Sequence, residues 1–327
     1  MRIAAARSFW PAPVTTVAVL VVLFGVAISL GFRADDGTKA GAVFIDGVPW
    51  NVWRLVAAGA IVTFALLFLH AARMVREVDC WGVRATVVRR WVYLGVAALA
   101  VMVAMAVQLK AGYTPDMPVT SLGVRTRGVL WVGLVASIPW LALVWLAHDE
   151  CRRNGDTQDE MEPEVTLARL LRLWRLLASC IGAFALGVVA AIATSGALRA
   201  AFVSVHPDCD DAYPAPETPP PGTVCGETFP PANVLYYGAF FAILLTIIAA
   251  PLVVSWRARA RELVEQSYPL PAEGMPTDAW VADRARLSKI LQLDVPILRN
   301  PLIALSIFTP LITSTLAAFI PQLGIGS

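Results

Sequence analysis

Residues 298–321 read LRNPLIALSIFTPLITSTLAAFIP, an apolar run interrupted by prolines and hydroxyl groups. The run has about the 20 residues that a helix needs to cross the hydrocarbon core of a bilayer. Pro310 lies in its middle and predicts a kink or a break, because proline removes a backbone hydrogen bond. Around this proline lie the side chains that we predict to line a pore: Thr309, Pro310, Thr313, Ser314 and Thr315. The alternative is a kinked membrane helix whose hydroxyls bond to its own carbonyls.

Six further apolar runs of similar length precede this one. The chain has 327 residues, of which 57% are hydrophobic and 15% charged, whereas soluble domains carry roughly 25% charged residues. We therefore predict an all-α fold, a polytopic integral membrane helix bundle with about seven transmembrane helices, or six and a re-entrant last one. The predicted spans are 14–32, 53–74, 91–109, 128–147, 176–195, 233–256 and 302–320.

The chain divides into three parts. Residues 1–256 form a six-helix transmembrane region that includes an extracytoplasmic loop, 196–232. Residues 257–301 form a cytoplasmic amphipathic segment, and 302–327 form the kinked C-terminal membrane helix. We interpret the first apolar run as an uncleaved helix because it is long for a signal peptide and no A-x-A-like site follows it.

The loop charges predict the orientation. With the N-terminus in the cytoplasm, 19 of the 26 basic residues fall in cytoplasmic segments, as the positive-inside rule requires. The predicted location is the cell membrane, with a cytoplasmic N-terminus and an extracytoplasmic C-terminus. Cys209 and Cys225 then fall on the oxidising side, where we predict that they form a disulfide.

Deep within the spans the sequence contains no Asp, Glu, Lys or Arg. Proton-coupled pumps and charge-relay transporters keep an ionisable group at mid-membrane, so this pattern argues against those classes. No G-x-S-x-G, H-E-x-x-H or P-loop motif is present, and no C-x-x-C pattern occurs. We accordingly predict a protein that is not an enzyme, without cofactor or metal site, and the charge pattern gives no nucleic-acid footprint.

Small residues recur every four positions along the fifth span, and this spacing lays them on one helix face. Such a ladder lets another backbone approach closely. We interpret it as a helix interface, either within the chain or between copies of the chain. Its members are Ser179, Ala183, Gly187, Ala191 and Ser195.

An amphipathic helix is predicted in the cytoplasmic segment, 257–301. Thr277 or Asp278 can cap a helix there, and its apolar stripe comprises Trp280, Leu287, Ile290 and Leu291. This helix can lie on the bilayer, pack on another part of the chain or pair with a second subunit.

Three hypotheses for function follow from these patterns. The first is an oligomeric, non-enzymatic module that forms or gates a passive pore. The second is a structural or assembly subunit of a membrane complex, with its cytoplasmic segments as the docking surface. The third is a uniport-type carrier of a neutral solute. The expected partners are the lipid bilayer and either further copies of the chain or the other subunits of a complex.

Overall fold

The structure is a computed structural model that describes residues 12–34, 37–81, 83, 85–111, 117–153, 163–205, 230–271, 275–294 and 301–319. The described residues form nine α-helices and one short 3-10 turn, Val78–Trp81. The α-helices are α1 (Ala12–Gly31), α2 (Lys39–Asp46), α3 (Val48–Arg76), α4 (Val87–Ala111), α5 (Leu122–Arg153), α6 (Pro163–Val205), α7 (Pro231–Ser267), α8 (Asp278–Ile290) and α9 (Pro301–Phe319).

The predicted fold class is confirmed. Five helices, α3 to α7, are long and apolar enough to cross a membrane. The helices α1 and α9 contribute shorter apolar segments, Thr16–Gly31 and Phe308–Ala318. Each of the seven predicted spans falls on one of these helices. The chain is thus an integral membrane helix bundle.

Several helices extend beyond the predicted spans. Residues 196–205 of the predicted extracytoplasmic loop, 196–232, are helical, because α6 continues to Val205. The sequence GALRAAFV that follows Ser195 is rich in alanine and leucine, which are strong helix formers. At its other end, α6 begins at Pro163, a residue suited to a first helical turn. The helix α7 continues past the predicted span to Ser267.

The short helix α2 was not predicted. It lies within the loop between the first two spans and begins after Thr38, whose hydroxyl accepts a hydrogen bond from the Gly41 amide at 2.9 Å. The predicted cap of α8 is confirmed, because the Thr277 hydroxyl accepts from the backbone amide of Trp280.

The helices α3, α5, α6 and α7 pack on one another, with α9 against α6 and α7. The helix α1 lies on α3, and α4 lies mainly on α5, so these two are peripheral. A large apolar cluster centred on Trp140 and Trp256 fills one end of the bundle. A second cluster, containing Trp50, Trp53 and Phe202, fills the other end. The end of the bundle that holds the first cluster is called the clamp end, after the polar groups described next. The end that holds the second cluster is called the opposite end.

Candidate functional site

The last turn of α5 is the centre of a polar network at the clamp end. Asp149 forms an ion pair with Arg89 of α4. The Tyr93 hydroxyl of the same helix donates to Asp149 Oδ2 at 3.1 Å. The otherwise peripheral α4 is thereby joined to α5 through the carboxylate of Asp149 in the last turn of α5.

The next two residues of α5 bind different helices. Glu150 forms an ion pair with Arg169 of α6, and the two side chains are only 3% and 7% exposed. Arg259 of α7 donates through Nε to the Cys151 carbonyl at 3.1 Å and also pairs with Glu262. Three consecutive residues therefore connect α5 to α4, α6 and α7. We call this arrangement the polar clamp.

Aromatic residues reinforce the polar clamp. Trp256 of α7 donates from its indole nitrogen to the Leu170 carbonyl of α6 at 2.9 Å. The Trp174 and Trp256 rings lie with their centroids 4.5 Å apart. Because an ion pair outside water is stable only with good geometry and further hydrogen bonds, this tight packing makes the clamp a rigid junction.

At the opposite end, arginines bind the carbonyl groups that end a helix. Arg54 of α3 donates from Nε and Nη2 to the Ala27 carbonyl of α1 at 3.1 and 2.9 Å. Arg125 of α5 donates to the carbonyls of Leu30, Phe32 and Arg33 at 2.5, 2.9 and 3.1 Å. The last carbonyls of a helix lack partners within it and carry partial negative charge. The two guanidinium groups therefore anchor α1 to the bundle.

Arg199 of α6 binds a carbonyl group near the end of α9 in the same way. Its side chain is fully buried, and Nη1 donates to the Ala318 carbonyl near the end of that helix at 3.2 Å. The sequence did not mark Arg199 as an anchor, because it lies in the predicted loop 196–232. The run of helix-forming residues around it was the signal that could have found it.

An Arg125→Gln variant tests the anchoring of α1. Hydrogen bonds from a charged group contribute about 1.5–3 kcal/mol, so we expect the free energy of unfolding to fall by about 2 kcal/mol. Thermal unfolding of the purified protein measures this change. Arg286→Gln, at an exposed position of α8, is the control, and an equal fall in both variants would contradict the anchoring role.

The five predicted pore-lining residues are distributed around α9. Ser314 and Pro310 are buried, Thr309 and Thr313 are half-buried, and Thr315 is exposed. The hydroxyls of Ser314 and Thr315 both donate to the Leu311 carbonyl at 2.9 Å. The helix continues through Pro310 over Pro301–Phe319. The residues therefore do not share one face, and two of their hydroxyls bond within the helix.

The same pattern holds for hydroxyl groups along the other membrane helices. Thr63 donates to the Gly59 carbonyl, Ser137 to Leu134 and Thr246 to Ala242, at 2.7–2.8 Å. Each acceptor lies three or four residues earlier in the same helix. Such local bonds satisfy a hydroxyl without a polar neighbour from elsewhere, which suits apolar surroundings.

The small-residue ladder of α6 lies partly against α3. A methyl group built on Gly187 would be 3.8 Å from Leu67 Cδ1 and 3.9 Å from Phe64 Cε1, both on α3. Ala183 is buried and Ala191 half-buried in the apolar clusters, whereas Ser179 and Ser195 are half-buried. Tighter glycine contacts lie elsewhere, and one of them is at Gly196, where a methyl group would be 2.6 Å from Ala317 Cβ of α9.

The predicted apolar face of α8 divides in two. Leu291 is fully buried in the apolar cluster of the clamp end, and Leu287 packs against that cluster. Trp280 donates to the Pro269 carbonyl at 3.2 Å and stacks with Arg284. Ile290 is 45% exposed. Three of the four residues therefore contact the rest of the chain.

The predicted disulfide, Cys209–Cys225, lies outside the described residues. Among the residues that the structure describes, Cys80, Cys151 and Cys180 are free thiols. No group of three metal-binding side chains occurs in that part of the chain.

Comparison with family models, curated proteins and solved structures finds no match. Function must therefore be inferred from the geometry. The ion pairs of the polar clamp and the arginine–carbonyl contacts fix helix ends relative to one another. Together they hold the bundle at both of its ends.

Proposed function

We propose that the protein is a non-enzymatic structural subunit that assembles a membrane complex through the clamp end. The supporting observation is the helical platform built there, which we define as 163–175 of α6, 257–267 of α7 and α8. At 1.5 Å per residue, α6 and α7 extend about 20 and 16 Å beyond their predicted spans. The basic bias of these segments favours placing the platform in the cytoplasm.

The polar clamp and the apolar cluster make the platform continuous with the membrane helices. Leu263 and Val264 of α7 and Leu291 after α8 are buried in the same cluster as Trp140 of α5. The platform is therefore held by side-chain packing as well as by the ion pairs. A rigid projection of this kind can hold a partner at a fixed height above the bilayer.

Exposed apolar side chains on and beside the platform supply contacts for a partner. Met275, before α8, is 91% exposed, and Val281 and Ile290 on α8 are 51% and 45% exposed. Beyond the predicted spans, lipid chains do not cover such side chains. Exposed apolar side chains that lie together outside the membrane are typical of interaction sites, and a partner would cover these three.

A triple variant tests this proposal. We expect the protein purified from its native membrane in mild detergent to run as a complex heavier than the 35.1 kDa chain with its detergent. Met275→Ser, Val281→Ser and Ile290→Ser together should release the partner and leave the melting temperature within about 2 °C of the parent, because exposed substitutions change stability little. Mass photometry and thermal unfolding measure the two effects.

The matched control places serine at three lipid-facing positions of similar exposure, Val96, Val103 and Val107. If this control releases the partner and the platform variant does not, the platform is not the docking surface. If the chain runs alone in every preparation, the assembly role is wrong. A mass that is a multiple of the chain identifies the partner as further copies of it.

A passive pore is the second candidate, and the exposure of Thr315 favours it. Thr315 is exposed on α9, so neighbouring copies can bring this hydroxyl from each copy to a shared surface. Conductance in planar bilayers that a Thr315→Leu variant alters would support the pore. A rise in melting temperature on adding one neutral solute would instead favour a carrier.

A further inference from the structure

The chain that leaves α7 towards α8 is held in place by side chains of α8. The Trp280 indole nitrogen donates to the Pro269 carbonyl at 3.2 Å, and Arg284 Nη1 donates to the Tyr268 carbonyl at 3.4 Å. The Arg284 guanidinium also lies over the Trp280 ring, 5.1 Å from its centroid. These contacts fix the backbone after α7 against the first two turns of α8.

The sequence of this segment restricts its backbone further. Residues 268–271 read YPLP, and we call them the proline segment. A proline fixes its own φ at about −65°, and it also excludes helical conformations for the residue before it. Tyr268 and Leu270 are both followed by proline. Because the segment has few conformations to lose, a partner that binds it meets a low entropic cost.

Leu270 is the side chain that the proline segment presents. It is 73% exposed, and Pro269 and Pro271 beside it are exposed as well. It follows the part of α7 that extends about 16 Å beyond the predicted span, where lipid chains do not cover it. A large apolar side chain on a fixed backbone is suited to fill a pocket at the centre of an interface.

The unpaired charges on both sides of the proline segment have one sign. From 262 to 283 the sequence contains five acidic residues and no Lys or Arg. Glu265 in the last turn of α7, and Asp278 and Asp283 of α8, are exposed. None of these three carboxylates forms a salt bridge in the part of the chain that the structure describes. Arg284, the next cation along the chain, is half-buried against Trp280.

We propose that the proline segment is the docking point for a partner protein whose apolar groove is bordered by lysine or arginine. Leu270 enters the groove, and the cations of the partner pair with Glu265, Asp278 and Asp283. Aromatic-lined grooves bind proline-containing segments in this way, because such segments are already extended before binding. The inference rests on the proposed assembly role and specifies the chemistry of the partner.

The same carboxylates disfavour two other occupants. Anionic lipid head groups carry charge of the same sign and are repelled. A twofold contact between two copies of the chain is self-complementary, so it would place these acidic side chains opposite one another, which costs free energy. The charge therefore favours a different protein, and a basic one.

Mass photometry of the complex from its native membrane tests the inference, because dilution gives its dissociation constant. We expect Leu270→Ser to raise this constant at least about tenfold, as the loss of a buried leucine contact predicts. Trp280→Phe keeps an aromatic ring and removes the bond to the Pro269 carbonyl, and should raise the constant about threefold.

A charge reversal tests the electrostatic part separately. Glu265→Lys together with Asp283→Lys should raise the constant about tenfold at low salt, and added salt should weaken the parent complex. The matched controls are Val43→Ser, at a position 75% exposed, and Asp46→Lys, at an exposed position. Both lie on α2 at the opposite end, and both should leave the constant unchanged.

The outcomes separate this inference from the assembly role. A complex that the serine variant of Met275, Val281 and Ile290 dissociates, but Leu270→Ser leaves intact, would overturn the inference and keep the assembly role. A chain that runs alone in every preparation would overturn both. A mass that is a multiple of the chain, or a complex insensitive to salt and to charge reversal, would contradict a basic partner. The charge reversal and the salt series keep the test decisive where Leu270→Ser does not fold.

Discussion

A Gly238→Ala variant is expected to lose about 3 kcal/mol of unfolding free energy, because α9 occupies the space that the new methyl group needs. A Cβ atom at this position of α7 would overlap Ser314 Oγ and Cβ and approach the Pro310 carbonyl oxygen to 3.0 Å. The Ser314 side chain is fully buried, so it has little space in which to move. Either α7 and α9 separate, or one of them bends.

A second glycine provides the control for this experiment. At Gly187 the same methyl group meets Leu67 and Phe64 at 3.8 and 3.9 Å, which is ordinary contact. Since alanine is the better helix former by about 1 kcal/mol, Gly187→Ala should leave stability unchanged or raise it slightly. Chemical or thermal unfolding in one detergent compares the two variants.

A rescue variant distinguishes the collision from other causes. Adding Ser314→Gly to Gly238→Ala removes the side chain that the methyl group overlaps. The double variant should recover more than half of the lost stability, as expected for residues in direct contact. If the two effects simply add, the close approach of α7 and α9 at this level is wrong.

Glu150→Gln is expected to have an equally large effect, lowering the unfolding free energy by about 3–5 kcal/mol. The substitution removes one charge of a pair whose side chains are 3% and 7% exposed. The Arg169 guanidinium then remains buried without the carboxylate that compensates it. Because this pair joins α5 to α6, we expect proteases to cleave the clamp end faster as well. Unfolding experiments and timed proteolysis measure the two consequences.

Two further variants separate the effect of burial from that of charge. Glu77 pairs with Arg73 at 3.2 Å, but those side chains are 49% and 53% exposed. Glu77→Gln should change stability by less than about 1 kcal/mol. Replacing both Glu150 and Arg169 by methionine should recover most of the unfolding free energy that Glu150→Gln loses, because an apolar pair needs no charge compensation. A loss in the double variant as large as in Glu150→Gln would contradict this explanation.

The apolar runs predicted the helices well because lipid imposes a simple requirement. A span of about 20 apolar residues satisfies its own backbone hydrogen bonds only as a helix, so all seven runs lie on helices. The cap at Thr277 was also predicted, because local side-chain and backbone chemistry sets helix starts. The short helix α2 was missed because no long apolar run marks it.

The contacts between helices were less predictable. The spacing of four along α6 predicted an interface, but the closest approaches occur at Gly196 and Gly238, which no regular spacing marks. Asp149 and Glu150 read as loop charges because each partner is supplied by a different helix, distant in sequence. Such ion pairs depend on which helices are neighbours in the bundle. A single sequence does not contain that information.

The attachment of α1 has a consequence for protein engineering. Arg54 and Arg125 bind backbone oxygens of α1 and of the turn after it, and side chains of α1 supply none of the acceptors. At Gly31 a Cβ would lie 2.5 Å from the Arg54 Cζ, so a side chain there would displace the guanidinium from the Ala27 carbonyl. The exposed positions of α1 can therefore change without loss of these bonds, and a foreign membrane helix can replace α1 if it keeps the small and apolar side chains that pack on the bundle at Ala27 and Leu30.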